Sequence, residues 1–136
     1  MQTATIKWIG DQKFAAVSPS GHSISIDSDR KSNKAPGPME LVLIALGACT
    51  ATDVVLILEK KRQKIESFDV ICSGERAADP PSVWTKLELL YRLRGNLDEG
   101  AVKHAIELSE VKYCSVAAML QKTATLSWRL EILPPL

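Results

Sequence analysis

A long apolar segment without proline, from Met39 to about Gln63, constrains the fold more than any other feature of the sequence. Pro38 precedes this segment and is well placed as the first residue of a helix, because its missing N–H would have no intrahelical partner there. Apolar side chains then continue almost all round the predicted helix from Leu41 to Leu58. A helix apolar on nearly every side is normally buried. We therefore expect this helix to form the core of the fold.

Alternating segments on both sides of the helix predict strands. Three short apolar runs at 3–9, 13–18 and 22–26 predict an antiparallel meander. After the helix, 67–76 and 84–93 predict two antiparallel strands, 99–113 a helix that Asp98 caps, 115–121 a short helical segment and 123–133 a final strand. The resulting order, β-β-β-α-β-β-α-α-β, predicts a single α+β domain over 1–136 with a mostly antiparallel sheet.

Composition and charge exclude several classes of protein. A chain of 136 residues that is 46% hydrophobic and 24% charged is typical of one soluble globular domain. Its formal charge of +1 does not favour nucleic acid or an anionic membrane as a partner. The first residues lack the apolar core of a signal peptide, and the run Leu41–Ala48 is shorter than the roughly 18 residues of a membrane span. We expect a soluble cytoplasmic protein.

The cysteines indicate a thiol protein of a reducing compartment. Cys49, Cys72 and Cys114 are three in number, are separated by long unequal gaps and form no C-x-x-C pair. This spacing argues against both a disulfide framework and a zinc cage. The two histidines, His22 and His104, have no second ligand at metal spacing. We expect no metal and no cofactor, and we assign Cys72 to core packing because it alternates with Val70 on one face of a strand.

Three stretches resemble the osmotically inducible protein C and organic hydroperoxide resistance (OsmC/Ohr) family. The helix entry APGPMELVLIALGACTATDVV resembles the family helix that carries the first cysteine, and LSEVKYCSVAAML resembles the site of the second. The strand His22–Asp27 with its following Lys/Pro/Gly loop is the third stretch. Together with the final strand the resemblance covers nearly the whole chain. Within the family the chain looks most like the YhfA-like branch.

This resemblance implies an architecture and a chemistry. It implies an OsmC-like fold in which antiparallel sheets wrap around long central helices of an intertwined homodimer. It also implies reduction of organic hydroperoxides, in which the Cys49 thiolate becomes a sulfenic acid that Cys114 captures as a disulfide. A dithiol reductant would then restore both thiols. The resemblance further assigns to Glu40 the role of orienting an arginine at the site. The first strand contains no arginine, so Arg30, the first arginine of the chain, is the candidate.

Local chemistry around the two cysteines points in the opposite direction. Cys114 follows Lys112 and precedes a helix start, and both features favour a thiolate. Cys49 lies about three turns into the long helix, and Asp53 shares its face one turn later, so that a carboxylate would disfavour ionisation of a nearby thiol. The order in which the cysteines react is taken from the resemblance.

An alternative function stays open. Cys114 is followed by Ser115 where the family usually has proline, and the first strand carries no arginine. These departures, together with Asp53, favour a protein that keeps the fold and binds a small apolar ligand without peroxidase turnover.

Overall fold

The computed structural model describes every residue from Met1 to Leu136. Its contacts divide the chain into two compact units, residues 1–42 and 43–136. Each unit has its own three-stranded sheet, and the boundary between them falls within the long helix α1, Pro38–Lys60. The expected α+β class is confirmed.

The first unit begins with the predicted meander. Strands β1 (Thr5–Trp8), β2 (Lys13–Val17) and β3 (Ser23–Asp27) pair antiparallel in sequence order. Apolar side chains of β1 are exposed, among them Ile6 at 58% and Trp8 at 65%. The sheet therefore presents apolar surface that its own unit does not cover.

Helix α1 starts at Pro38, as predicted, and ends at Lys60. Its fully buried side chains recur at every fourth position, which places them on a single stripe of the helix: Leu46, Thr50, Val54 and Leu58. Burial on all sides is not found in the single chain, since Ile44 is 58% and Leu56 is 52% exposed. α1 is long and apolar enough to cross a membrane, so the shortness of the Leu41–Ala48 run does not exclude a membrane span. The core helix of a soluble protein also meets these criteria of length and composition.

The second unit contains a mixed sheet. Strands β4 (Ser67–Arg76) and β5 (Trp84–Arg94) pair antiparallel, as predicted. The final strand β6 (Thr125–Leu133) pairs with β5 in parallel, which departs from the expected antiparallel arrangement. A parallel pair requires a crossover of a dozen or more residues, and the helical segment between β5 and β6 provides it.

The crossover contains three helical pieces where the sequence predicted two. Helix α2 (Glu99–Leu108) begins with Asp98, whose side chain accepts a hydrogen bond from the Ala101 N–H as predicted. It continues into a π-helical turn, Ser109–Tyr113, in which the Cys114 N–H donates to the Ser109 carbonyl at 2.8 Å. Helix α3 (Ser115–Leu120) follows, and Cys114 is its N-cap.

Candidate thiol site

The second unit brings Cys49 and Cys114 together. Cys49 comes from the middle of α1, and Cys114 from the junction between the π-helical turn and α3. Both are free thiols, and they lie close enough that Cys49 raises the pKa of Cys114. The two thiols are therefore neighbours in the second unit.

Cys114 is held as a neutral thiol. Its side chain is 3% exposed, and its sulfur accepts a hydrogen bond from the Ala117 N–H at 3.3 Å. Burial raises the pKa of Cys114 to about 12, the Ala117 N–H works against that rise, and the neighbouring Cys49 and Asp53 add to it. At neutral pH the Cys114 sulfur therefore keeps its proton.

The expectation that local charges make Cys114 the better thiolate is wrong. The Lys112 ammonium lies over the Tyr113 ring, 5.2 Å from its centroid, whereas the pKa of Cys114 is shifted by burial, Ala117, Cys49 and Asp53. Nearness in sequence therefore does not make Lys112 a partner of the Cys114 sulfur. Desolvation then dominates the ionisation of this thiol.

A chain of polar side chains runs through the interior beside the cysteines. Asp53 Oδ2 accepts a hydrogen bond from Ser109 Oγ at 2.8 Å, and Ser109 Oγ lies 2.9 Å from Thr50 Oγ1. Thr50 Oγ1 lies 2.6 Å from the Tyr91 hydroxyl, which in turn lies 2.5 Å from Glu110 Oε1. Thr50, Tyr91 and Ser109 are fully buried, and Glu110 is 8% exposed.

The π-helical turn gives this chain its shape. Ser109 and Glu110 are neighbours in sequence, yet both are buried, and they contact different elements of the unit. Ser109 reaches α1 through Thr50 and Asp53, whereas Glu110 reaches Tyr91 on β5. Short π-helical turns within α-helical segments are frequent at functional sites.

Four members of this polar chain were not predicted from the sequence: Thr50, Tyr91, Ser109 and Glu110. One signal was present, because the stripe of α2 that begins with Val102 and Ile106 continues with Ser109 and Glu110 at the next two helical positions. Polar residues on a stripe that is otherwise apolar indicate a buried polar network. Asp53, which the sequence analysis did single out, is the half-buried end of that network.

Cys72 lies against the thiol-bearing helix. Its side chain is half-buried on β4, and a Cβ atom added to Gly47 of α1 would stand 2.9 Å from the Cys72 sulfur. Burial, with a further contribution from the charge of Glu110, raises the pKa of Cys72 to about 11. Cys72 is thus a neutral packing residue between β4 and α1.

The first unit contains the other two candidate residues, Arg30 and Glu40, as an ion pair. Arg30 Nη1 donates to Glu40 Oε1 at 2.5 Å, and both side chains are about half exposed, at 47% and 54%. The same Glu40 oxygen accepts a hydrogen bond from the Gly37 N–H at 2.9 Å, which ties the carboxylate to the start of α1. Glu40 and Arg30 are therefore paired, and their role at the thiol site stays a prediction.

The remaining hydrogen bonds of Arg30 organise the loop before α1. Its Nη2 donates to the carbonyls of Asp27 and Ala35, and its Nη1 also donates to Asn33 Oδ1. The carboxylate of Asp27, fully buried, accepts backbone hydrogen bonds from Lys34 and Asp29. The guanidinium plane is therefore held in one orientation by side-chain and main-chain acceptors together.

No group of three or more His, Cys, Asp or Glu side chains is arranged to hold a metal ion. His22 bonds to Ser20 in the turn before β3, and His104 lies on the exposed face of α2. The chemistry that this arrangement can perform is that of thiols and proton transfer.

Comparison with known proteins gives a consistent result. A family model described as OsmC-like protein matches residues 31–129. Protein YhfA of Escherichia coli is 41% identical over 130 residues, which are 95% of this chain and 96% of YhfA. The crystal structure of an OsmC-like protein from Mycoplasma pneumoniae aligns with a TM-score of 0.85 at 19% identity, over 98% of this chain and 97% of that one.

The fold extends to a named hydroperoxide resistance protein. OhrB of Bacillus subtilis aligns with a TM-score of 0.68 at 12% identity, over 95% of this chain and 98% of OhrB. A likeness at that level of identity concerns the fold alone. The family model and the relationship to YhfA go further, and they establish that this chain belongs to the OsmC-like protein family.

Proposed function

We propose that this protein is a thiol-dependent peroxidase that reduces organic hydroperoxides with Cys49 as the attacking thiol and Cys114 as the resolving thiol. The observation that carries the proposal is that the Cys49 and Cys114 thiols are neighbours in the second unit, close enough for Cys49 to raise the pKa of Cys114. Membership of the OsmC-like family and the shared fold with an organic hydroperoxide resistance protein support it.

The reaction proceeds in two steps. The Cys49 thiolate attacks the terminal oxygen of the hydroperoxide and breaks the O–O bond, so that the sulfur is oxidised to a sulfenic acid and the peroxide leaves as an alkoxide, which takes up a proton. The Cys114 sulfur then attacks the sulfenic sulfur, a disulfide forms, and the displaced hydroxide leaves as water after protonation. A dithiol reductant returns both cysteines to thiols.

The state of Cys114 supports this order of reaction. A thiol with a pKa of about 12 carries almost no thiolate at neutral pH, and the thiolate is the nucleophile. Cys114 is therefore poorly suited to attack peroxide. Its contact with Cys49 is instead suited to resolution, since the sulfenic acid forms within reach of it.

Arg30 and Glu40 are proposed to act in the peroxide step. Glu40 accepts a hydrogen bond from Arg30 and, with the loop carbonyls, orients its guanidinium. A guanidinium of fixed orientation is suited to binding a hydroperoxide and to stabilising the developing negative charge on its oxygens. These roles are the ones that the family resemblance assigns.

Thiol counting tests the peroxidase proposal. The reduced protein, treated anaerobically with cumene hydroperoxide, is expected to lose two thiols and to yield a peptide pair joined through Cys49 and Cys114. Cys114→Ser should accumulate a sulfenic acid at Cys49 that dimedone traps, and Cys49→Ser should consume no peroxide. Cys72→Ser is the matched control and should behave as the wild type. Dimedone labelling of Cys114 in Cys49→Ser would show that the order of the two thiols is reversed.

A substitution series at Arg30 tests its part in the peroxide step. Arg30→Lys keeps the charge but loses the two-sided hydrogen bonding to Glu40 and the loop, and we expect the rate of Cys49 oxidation to fall on the order of a hundredfold. Because the ion pair is half exposed, stability should change by less than about 1 kcal/mol. Lys31→Ala, at the next residue, is the control. An unchanged oxidation rate in Arg30→Lys would remove Arg30 from the mechanism.

We also propose that the protein works as a cytoplasmic homodimer. Exposed apolar side chains on α1 and on β1, such as Leu56 and Trp8, are surfaces that a second copy would cover. Sedimentation equilibrium at micromolar concentration should give twice the 14.9 kDa mass of the chain. A stable monomer would rule out the intertwined dimer.

The burial of Cys114 favours a second candidate function, a protein that binds a small apolar ligand without turnover. A 3% exposed, protonated thiol is the state of an inert packing cysteine. This candidate predicts no loss of thiols with hydroperoxide and a small apolar molecule retained in native mass spectra. Full stability and ligand retention in Cys49→Ser would favour it over the peroxidase.

A further inference from the structure

The polar chain beside the cysteines contains more hydrogen bonds than its hydroxyl groups can donate. Four oxygen–oxygen contacts of 2.5 to 2.9 Å link Asp53, Ser109, Thr50, Tyr91 and Glu110 in that order. All four distances are those of O–H···O hydrogen bonds, and each such bond requires its own proton. The three hydroxyl groups supply three protons. The fourth must come from one of the two carboxyl groups.

The fourth proton can lie on either carboxyl group, which gives two hydrogen-bond arrangements with opposite donor directions. With Glu110 protonated, the donors run from Glu110 through Tyr91, Thr50 and Ser109 to an ionised Asp53. With Asp53 protonated, every donor reverses and Glu110 is ionised. One proton therefore belongs to both carboxyl groups, and a shift of each hydroxyl proton by one link moves it from one end of the chain to the other.

Burial decides which end holds the proton at rest. Glu110 is 8% exposed, whereas Asp53 is half-buried. Desolvation raises the pKa of Glu110, and the hydrogen bond with Tyr91 opposes the rise. An ionised Glu110 would be the costlier state. The shared proton therefore rests on Glu110, the more buried of the two carboxyl groups.

The charged end of the chain acts on the thiol pair. The Asp53 carboxylate raises the pKa of Cys114, and so does the contact with Cys49. At the other end, Glu110 is faced by Tyr91 on β5 and by the Cys72 thiol on β4. A proton that moves towards Asp53 removes the negative charge next to Cys114 and places it at Glu110.

We propose that Asp53 and Glu110 share one proton through Ser109, Thr50 and Tyr91, and that this chain is the proton reservoir of the Cys49–Cys114 pair. Asp53 and Glu110 are positioning residues in this scheme, since they act on the reaction through the thiols. The sharing of the proton is independent of turnover, and its use by the thiols rests on the proposed peroxidase function.

The proton balance of the reaction matches such a reservoir. Reduction of the hydroperoxide needs one proton for the alkoxide. The polar chain supplies this proton, which leaves both carboxyl groups ionised. The Cys114 thiol returns a proton to the chain when it attacks the sulfenic acid. The hydroxide displaced from Cys49 takes its proton from solvent, so that one thiolate, one thiol, one hydroperoxide and one proton give a disulfide, an alcohol and water.

Infrared difference spectroscopy of the resting, reduced protein tests the shared proton without any peroxide. The wild type at neutral pH should show the carbonyl stretch of a protonated carboxyl group, and Glu110→Gln should lose it. The glutamine amide donates to Tyr91 as the protonated acid does, so this variant should keep its fold. Asp53→Asn should retain the band. A wild-type spectrum without the band, or a band that disappears in Asp53→Asn and persists in Glu110→Gln, would overturn the proposal.

Thr50→Val provides a second variant that divides the chain in its middle. Ser109 then donates to Asp53 and Tyr91 donates to Glu110, so each contact has its own proton and no carboxylic acid is required. The band should therefore titrate at lower pH in Thr50→Val than in the wild type. An unchanged titration would also overturn the shared proton. If the infrared results hold while hydroperoxide removes no thiols, the peroxidase proposal fails and the shared proton stands.

The link to the thiols has its own measurement. In the Cys49→Ser background, the alkylation of Cys114 by a small thiol reagent is measured as a function of pH. Asp53→Asn should shift this profile towards lower pH, so that the rate at a given pH rises on the order of tenfold. Glu110→Gln keeps Asp53 ionised and should leave the alkylation profile unshifted. Equal profiles in all three proteins would separate the chain from the cysteines and refute its role as their reservoir.

Discussion

Gly47 of α1 lies so close to Cys72 of β4 that a Cβ atom on residue 47 would stand 2.9 Å from the cysteine sulfur. Real Cβ atoms essentially never make contacts this short, so Gly47→Ala must displace the Cys72 side chain, the helix or the strand. We expect a destabilisation of about 1–3 kcal/mol in urea unfolding, despite the higher helix propensity of alanine.

The same pair offers a double-mutant test. In a Cys72→Ala background the obstacle is gone, and Gly47→Ala should then stabilise the protein by roughly 0.5–1 kcal/mol through helix propensity alone. Gly100→Ala on α2, where the nearest atom is 3.5 Å away, is the control and should not destabilise. Destabilisation by Gly47→Ala of equal size in both backgrounds would exclude the contact as its cause.

Cys114 caps α3, and its replacements should reveal this role separately from its chemistry. Serine can accept the Ala117 N–H in place of the sulfur and is a favoured N-cap residue. Cys114→Ser should therefore match the wild type in stability, whereas Cys114→Ala should lose about 1 kcal/mol in urea unfolding. Equal stabilities of the serine and alanine variants would show that the cap contributes nothing.

Tyr91 is an inner member of the buried polar chain, with Thr50 on one side and Glu110 on the other. Tyr91→Phe keeps the ring contacts with Phe68 and Trp128 but removes the side-chain partner of Glu110 and leaves Thr50 with Ser109 alone. We expect a loss of about 1–3 kcal/mol, measured by thermal and urea unfolding. Tyr113→Phe, at a half-exposed ring, should stay within about 0.5 kcal/mol of the wild type.

Asp27 makes the first unit sensitive to acid. The backbone N–H of Lys34 lowers the pKa of this carboxyl, burial opposes the effect, and the N–H of Asp29 adds to it. Because the folded pKa lies below the unfolded one, the stabilisation is present above the unfolded pKa of about 4 and is lost as the pH falls through the folded value. Urea midpoints between pH 5 and 2 should fall more steeply for the wild type than for Asp27→Asn. Parallel curves would contradict this assignment.

Much of the fold could be predicted from local patterns. The helix start at Pro38, the cap at Asp98 and the meander of the first unit follow from backbone chemistry that the sequence displays. The parallel pairing of β6 could not be predicted, because alternation reveals a strand but not its direction. The neutral state of Cys114 depends on desolvation by residues distant in sequence. Lys112, its near neighbour in sequence, turns to Tyr113 instead.

The parallel pairing of β5 with β6 has a consequence for the order of folding. The two strands are joined by the whole crossover, so their contacts close a long loop, and such pairings form slowly because chain entropy is lost before they are made. β4 and β5, linked by a short loop, can pair first. Cys114 lies inside the crossover and gains its partners only when that segment docks. The thiol pair is therefore assembled late, and the nascent protein passes through a stage in which its cysteines are separate and open to the medium.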